Sequence, residues 1–316
     1  MKVGIQPADR LGDAVWIAWG ATGLRHLESP PEIHSPIKNP LNELICPQLI
    51  NTSPSQNQTY DLSIGFPWDT EVLPYGDRKL KFPLPGFYRS SKIQKIEDAP
   101  HYQSTGEKHV LKALEKTFQE EWPDFKLPKL PKLPAYDLYI PDQSNQDIQT
   151  ITINLGGSRK EKLYPLEKWI EVIKALRQKN FQIICLGADI DQREWERLLA
   201  TEIRKDSNLP EVINLTGKTT LAELTSLIIQ SVVHIASDTG TGHLAAALDR
   251  KTISLFGQFS FVEVGRPYSE KNIALEAQSW TPAGIESKDI IASVLHAVGD
   301  DSGQQNNRKD VARSMY

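Results

Sequence analysis

A chain of 316 residues, 39% apolar and 24% charged, holds enough apolar material for a buried core, and this excludes wholesale disorder. Its formal net charge of -4 lacks the basic excess of a dedicated nucleic-acid binder, so no nucleic-acid partner is expected. The length suits two domains, and the two cysteines, Cys46 and Cys185, make neither a disulfide framework nor a metal-ligand pattern.

The opening Met1-Lys2-Val3-Gly4-Ile5-Gln6-Pro7 lacks the longer apolar stretch of a signal peptide. No window approaches the run of about 18 apolar residues that spans a bilayer. Together with sparse cysteine use, this predicts a soluble, cytoplasmic protein. Lys2 to Gln6 reads as a strand and Leu11 to Leu27 as an apolar helix after a turn. Glu32 to Ile37 and Tyr60 to Phe66 read as short strands, and Glu107 to Gln119 as a helix. Residues 78–95 carry six cations and no acid, interleaved with Phe82, Phe87 and Tyr88. They suit an acidic acceptor, a peripheral contact with anionic lipid, or simply a solvated loop. Lys-Leu-Pro recurs three times over 126–134, a stiff extended segment that marks the approach to a domain boundary.

The second half alternates strands and helices. Thr150 to Gly156 is a strand. Pro165 to Lys179 is a helix with Trp169, Ile170, Ile173 and Leu176 at helical spacing. Phe181 to Gly187 is a strand, with Cys185 a buried thiol within it. Asp191 to Arg204 is a helix and Val212 to Leu215 a strand. Thr219 to Gln230 is a helix with Thr220 and Glu223 in capping-box relation. Val232 to Ala236 and Thr252 to Phe256 are strands around a helix at Thr241 to Leu248. This rhythm implies βαβ units and a parallel sheet, whose ligands bind beyond the carboxyl ends of the strands.

Three constellations fall at such ends. Asp238-Thr239-Gly240-Thr241-Gly242-His243 turns from a strand into an alanine-rich helix. Its glycines allow close backbone approach, and the first amides of the helix make an anion site suited to phosphate. The plain alternative is a capped helix start, with Asp238 or Thr239 as N-cap. Gly156-Gly157-Ser158-Arg159-Lys160-Glu161-Lys162 also follows a strand, and Lys162 or Arg159 could offset charge on a departing diphosphate. Without further context it is a solvated basic loop. Asp9 and Asp13 follow the first strand. Either carboxylate could serve as general base toward a hydroxyl, and helix capping is the competing role. No Gly-x-Gly-x-x-Gly opens the first strand of either half, so a nicotinamide enzyme is disfavoured.

Taken together, these residues resemble glycosyltransferase family 9, the heptosyltransferase family. The family signature Asp-[Ser/Thr]-Gly-x-x-His-[Leu/Ile]-x-Ala-Ala appears as Asp238-Thr239-Gly240-Thr241-Gly242-His243-Leu244-Ala245-Ala246-Ala247. Ile253-Ser254-Leu255-Phe256-Gly257, Lys162-Leu163-Tyr164-Pro165 with Trp169, Gly217-Lys218-Thr219-Thr220-Leu221-Ala222-Glu223-Leu224 and Leu11-Gly12-Asp13 also match. The opening turn departs, reading Pro7-Ala8-Asp9-Arg10 where the family has a serine-containing loop.

The resemblance implies an α/β fold of the GT-B type, two Rossmann-like domains facing across a cleft. An acceptor-binding domain would span 1–145, a nucleotide-sugar-binding domain 146–300, and a polar tail 301–316. It implies an inverting glycosyltransferase that uses no metal and no cofactor beyond its nucleoside-diphosphate sugar donor, ADP-heptose by family precedent. The partners are that nucleotide sugar and a glycan or lipid-linked saccharide acceptor of lipopolysaccharide biosynthesis, met at the inner face of the membrane. By the same carry-over, Asp13 is the general base and Lys162 neutralises the leaving group. Thr239, Gly240, Thr241 and Gly242 hold the diphosphate, with Asp238 and His243 shaping the site. Ser158 contacts phosphate and Glu223 the nucleoside. Two rivals remain: a nucleotide-sugar 2-epimerase, and a non-catalytic binding protein on a decayed transferase fold.

Overall fold

A computed structural model describes residues 1–5, 11–35, 50–51, 61–65, 79–81, 105–128, 148–157, 159–188 and 212–299. The chain divides into two compact units. The first comprises Met1–Pro134 with Thr239–Asp249 and Ser260–Tyr268. The second comprises Ala135–Asp238, Arg250–Phe259 and Ser269–Tyr316. The expected helix at 191–204, the Lys-Leu-Pro repeats beyond Pro128, nearly all of the basic stretch 78–95 and the tail 301–316 lie outside the described residues.

In the first unit, strands β1 (Lys2–Ile5), β2 (Glu32–Ser35), β3 (Ile50–Asn51), β4 (Leu62–Gly65) and β5 (Lys79–Lys81) form a parallel sheet of order β3-β2-β1-β4-β5. Helix α1 (Leu11–Leu24) follows β1 and is buried along Ala14–Leu24. Its sequence is apolar on every face, as a helix enclosed by other elements must be. Gly20 and Gly23 allow Phe118 and Phe125 to approach, for a Cβ at either position would meet a ring carbon at 2.7 Å. Phe118 belongs to α2 (Val110–Gln119), which starts three residues later than the sequence suggests because His109 caps it, its Nδ1 accepting the Leu111 N–H at 3.2 Å.

The second unit is built on a six-stranded parallel sheet, β11-β10-β9-β6-β7-β8. Its strands are β6 (Thr150–Asn154), β7 (Gln182–Leu186), β8 (Val212–Asn214), β9 (Val233–Ser237), β10 (Thr252–Phe256) and β11 (Asn272–Glu276). Every residue of β6, β7, β9 and β10 is buried. Burial on both faces shows in the apolar run of β7 (QIICL), whereas β6 (TITIN) keeps an alternating sequence although both its faces are covered. Ile153 lies in register with Cys185 on one side and Ile235 on the other. Helix α3 (Leu166–Gln178) presses Trp169, Ile173 and Leu176 onto this sheet, and helix α7 (287–299) adds Ile290 and Val294 to the same core. Pro165 is the N-cap of α3. Helix α4 (Leu221–Gln230) opens on the expected capping box. The chain then runs from β9 into α5 (Gly240–Ala247), which is counted with the first unit, as is the short α6 (Val262–Gly265).

A buried polar chain crosses from β9 to β6. Thr152 Oγ1 lies 2.9 Å from His234 Nδ1 and donates to Ser231 Oγ at 3.1 Å, and Ser231 donates to the Ile228 carbonyl at 2.8 Å. With each hydroxyl spending its hydrogen down this chain, Nδ1 of His234 is left to carry one. Burial alone pushes the His234 pKa down to about 3, so the ring is neutral.

Candidate functional site

The 238–243 turn begins where β9 ends. Thr239 takes extended backbone angles as the N-cap of α5, yet makes no side-chain capping hydrogen bond. Its hydroxyl instead lies 3.2 Å from that of Thr241. Thr239 thus holds the N-cap position without its usual service of accepting an amide hydrogen. The first N–H groups of a helix have no partner within the helix and gather its positive dipole end. The earliest intrahelical bond here runs from His243 N to Thr239 O, at 3.4 Å.

Helix α5 starts against the start of α1, within one unit. A Cβ at Gly240 would stand 2.6 Å from Leu11 Cβ and 2.8 Å from the Gly12 backbone nitrogen. A Cβ at Gly12 would stand 3.1 Å from His243 Cδ2. Gly240 is needed for backbone to meet backbone, and Gly12 leaves the imidazole room that a Cβ would narrow by a few tenths of an ångström. The buried His243 ring packs edgewise on Trp16, centroids 4.8 Å apart. Two helix N-termini therefore converge, which concentrates positive potential at the turn. Asp13 lies in the first turn of α1, one residue beyond Gly12.

In the second unit, Lys162 closes a 3-10 turn (Lys160–Lys162) after β6. Its ammonium is 2.5 Å from Asp238 Oδ2, in a pair whose side chains are 23% and 14% exposed. Because β6 and β9 are neighbours in the sheet, the loops after them emerge side by side at the same carboxyl edge. Residues separated by 76 positions become partners in this way.

The remaining sequence candidates fall elsewhere. Glu223 completes the capping box, its Oε2 accepting the Thr220 N–H at 2.7 Å and the hydroxyl at 2.9 Å, and these bonds lower its pKa. Its carboxylate is spent on the helix start in this structure. Ser158 and Asp9 lie outside the described residues. Sequence reasoning missed Asn154, whose Oδ1 accepts the Gly156 N–H at 2.8 Å and shapes the glycine turn leading to Lys162. An Asn two residues before Gly-Gly carried that signal. It also missed Trp16, one helical turn beyond Gly12, which forms the wall behind His243. Among the described residues there is no cluster of three or more potential metal ligands, and no helix long and apolar enough to cross a membrane.

The family model for glycosyltransferase family 9 (heptosyltransferase) matches residues 88–294. Lipopolysaccharide heptosyltransferase 3 of Escherichia coli strain K12 is 32% identical over 120 residues, covering 38% of this chain and 33% of the relative. The matched stretch thus spans about a third of the curated relatives' length. Among solved structures, the E. coli ADP-heptose lipopolysaccharide heptosyltransferase II matches with TM-score 0.65 and 16% identity, over 96% of this chain and 100% of that one. A glycosyltransferase family 9 structure from Veillonella parvula DSM 2008 matches with TM-score 0.68 and 13% identity, over 95% and 97%. At such identities the likeness establishes the fold, GT-B α/β, and not the residue roles.

Proposed function

The chain belongs to glycosyltransferase family 9, and we propose that it is an inverting, metal-independent glycosyltransferase. It moves heptose from ADP-heptose to a saccharide acceptor of lipopolysaccharide assembly. The donor follows the solved E. coli relative, which is named for ADP-heptose. The observation that carries the reading is the N-terminus of α5, whose N-cap side chain makes no cap and which follows directly in the chain on Asp238, the carboxylate that pairs with Lys162.

Transfer is a single displacement. Asp13 takes the proton from the acceptor hydroxyl, and the freed oxygen pair attacks the anomeric carbon of the donor. The bond from that carbon to the diphosphate oxygen breaks, and its electrons leave with the diphosphate. One displacement inverts the anomeric centre. Negative charge grows on the leaving group, where the amides of Thr239 to Gly242 and the Lys162 ammonium receive it. Asp238 holds Lys162 in place beforehand, so the cation needs little reorganisation when the diphosphate arrives. His243, wedged against Gly12 and Trp16, keeps the two helix starts in register. Ser158 serves as a further phosphate contact. Residues 1–145 provide the acceptor side and 146–300 the donor side. The basic stretch 78–95 meets the anionic acceptor or the inner membrane surface, and the protein works in the cytoplasm.

The test is Asp13→Asn, assayed for heptose transfer and, separately, for ADP binding by calorimetry. Transfer should fall by at least about a thousandfold, as for loss of a general base, while ADP binding stays within twofold. A variant with wild-type turnover removes Asp13 from the base role. Wild-type protein that epimerises a nucleotide sugar without acceptor would favour the 2-epimerase reading instead. Activity that vanishes after chelation and returns with a divalent ion would refute metal independence.

A further inference from the structure

A second polar cleft lies within the first unit, lined by residues that the transfer reading does not use. Glu107, Lys108 and the N-cap His109 come from the approach to α2 and Lys112 from its first turn, and Glu263, Arg266 and Tyr268 come from the segment around α6. Its volume of about 560 Å³ falls within the range of small-molecule sites, about 300–1,000 Å³.

The wall is tied together before any ligand arrives. His109 Nδ1 accepts the Leu111 N–H, so its Nε2 carries the hydrogen and donates to the Arg266 carbonyl at 2.9 Å. Tyr268 stands against the His109 ring, centroids 4.8 Å apart, and edge-on to Trp19 at 5.9 Å. Lys112 lies 5.6 Å from the Tyr268 ring centre and pairs with Glu115 at 2.9 Å.

The charges of this cleft do not cancel. Lys108 is matched by Glu263 at 3.0 Å, and Glu107 by Lys116 at 2.8 Å. Among the described residues no ion pair engages the exposed Arg266 side chain, while its backbone carbonyl and N–H are bonded to His109 and Val262. One guanidinium is left uncompensated, on a rigid wall, over a cavity large enough for a sugar. A guanidinium fork matches the oxygens of a phosphate group with two parallel hydrogen bonds. Lys108 and Lys112 line the same cleft.

We propose that this cleft binds a small phosphate monoester of sugar-phosphate size, with the Arg266 guanidinium holding the phosphate and Tyr268 bordering the sugar. The proposal is independent of the transfer reading, because the cleft shares no residue with the 238–243 turn, Lys162 or Asp13.

The test titrates the full chain, saturated with ADP so that the diphosphate turn is filled, with glucose 6-phosphate, glucose and inorganic phosphate at constant ionic strength. Glucose 6-phosphate and phosphate should bind and glucose should not. Arg266→Ala should weaken glucose 6-phosphate binding at least tenfold while leaving ADP affinity unchanged. That variant keeps the carbonyl that His109 bonds, so the wall survives. Glu263→Gln should tighten glucose 6-phosphate severalfold, because it removes a rim anion and releases Lys108. Equal affinities in wild type and Arg266→Ala, or weaker binding in Glu263→Gln, would overturn the proposal. If wild type fails to bind ADP, the same titrations run without ADP still decide the cleft, and only the transfer reading is lost.

Discussion

Gly240→Ala should damage the site far more than Gly265→Ala in α6. The added Cβ would stand 2.6 Å from Leu11 Cβ and 2.8 Å from the Gly12 nitrogen. Relaxing 2.6 Å to the 3.4 Å of ordinary contact separates the two helix starts by about 0.8 Å. The obstructing atoms are backbone and a first side-chain carbon, so no rotamer change relieves them. Overpacking of this kind costs about 1–3 kcal/mol. For units of this size that lowers Tm by about 2–4 °C per kcal/mol. Misplacement approaching 1 Å at reacting groups costs about a hundredfold in turnover. Differential scanning calorimetry and a heptose-transfer assay with saturating donor measure the two effects. Adding Leu11→Ala should not rescue the variant, because alanine retains the obstructing Cβ. Gly265→Ala supplies the contrast: it has no heavy atom within 4 Å of the new Cβ and should leave both readouts near wild type. Wild-type Tm and turnover in Gly240→Ala would refute the claim that the helix starts are in contact.

Lys162→Ala should weaken ADP binding or slow turnover about tenfold or more. A double-mutant cycle with Asp238→Asn should show coupling, and strictly additive effects would show that the pair does not act as a unit. His234 makes stability depend on pH. Its folded-state pKa of about 3 lies below the ordinary 6.5. The unfolded chain therefore takes up the proton first as pH falls. Stability from this group is complete above about pH 6.5 and declines by up to about 1.4 kcal/mol per pH unit toward pH 3. Urea unfolding at pH 7 and pH 5 should differ by about 2 kcal/mol from His234 alone. His234→Gln should flatten that difference, and an unchanged pH slope would assign it to other groups. Thr152→Val should also destabilise the second unit, since it removes the acceptor of the His234 ring and the donor to Ser231.

The second unit was readable because its strands are short, buried and bounded by glycine turns. Thr252–Phe256 agrees at both ends with the expected strand, and the Thr220–Glu223 capping box forms as its spacing implies. The strand Asn272–Glu276 escaped notice because it is only partly buried and carries polar residues at both ends, so neither alternation nor a continuous apolar run marks it. Helix 287–299 escaped for a different reason. Ile290, Val294 and Ala297 are buried and fall at helical spacing, but the segment lies beyond Thr252–Phe256, the last strand taken from the sequence, and carries none of the matched motifs. In the first unit, β3 has two residues and β5 three, too few to leave a periodic signature.

The site divides along the same line. Residues that act through a local turn, such as the glycines of 238–243, announce themselves, because the backbone needs them wherever the chain later folds. Residues that act through a distant neighbour do not. Nothing in the spacing of Lys162 and Asp238 predicts their 2.5 Å contact, which exists because β6 and β9 pair out of sequence order. Gly12 illustrates the difference most clearly. Read locally, it is the middle of a Leu-Gly-Asp turn. In the structure it is the surface on which His243 rests, and a Cβ there would stand 3.1 Å from the imidazole, so the ring would have to give by a few tenths of an ångström. That constraint on Gly12 comes from a helix more than 200 residues away in the chain. The same contact sets the α1 turn that carries Asp13 beside the N-terminus of α5, so the proposed base and the proposed diphosphate cradle are held by one piece of packing. A variant that loosens it, such as Gly12→Ala, should lower turnover more than it weakens ADP binding, because the cradle survives and only its registration with the base is lost. Equal losses in both would mean that Gly12 serves the cradle itself.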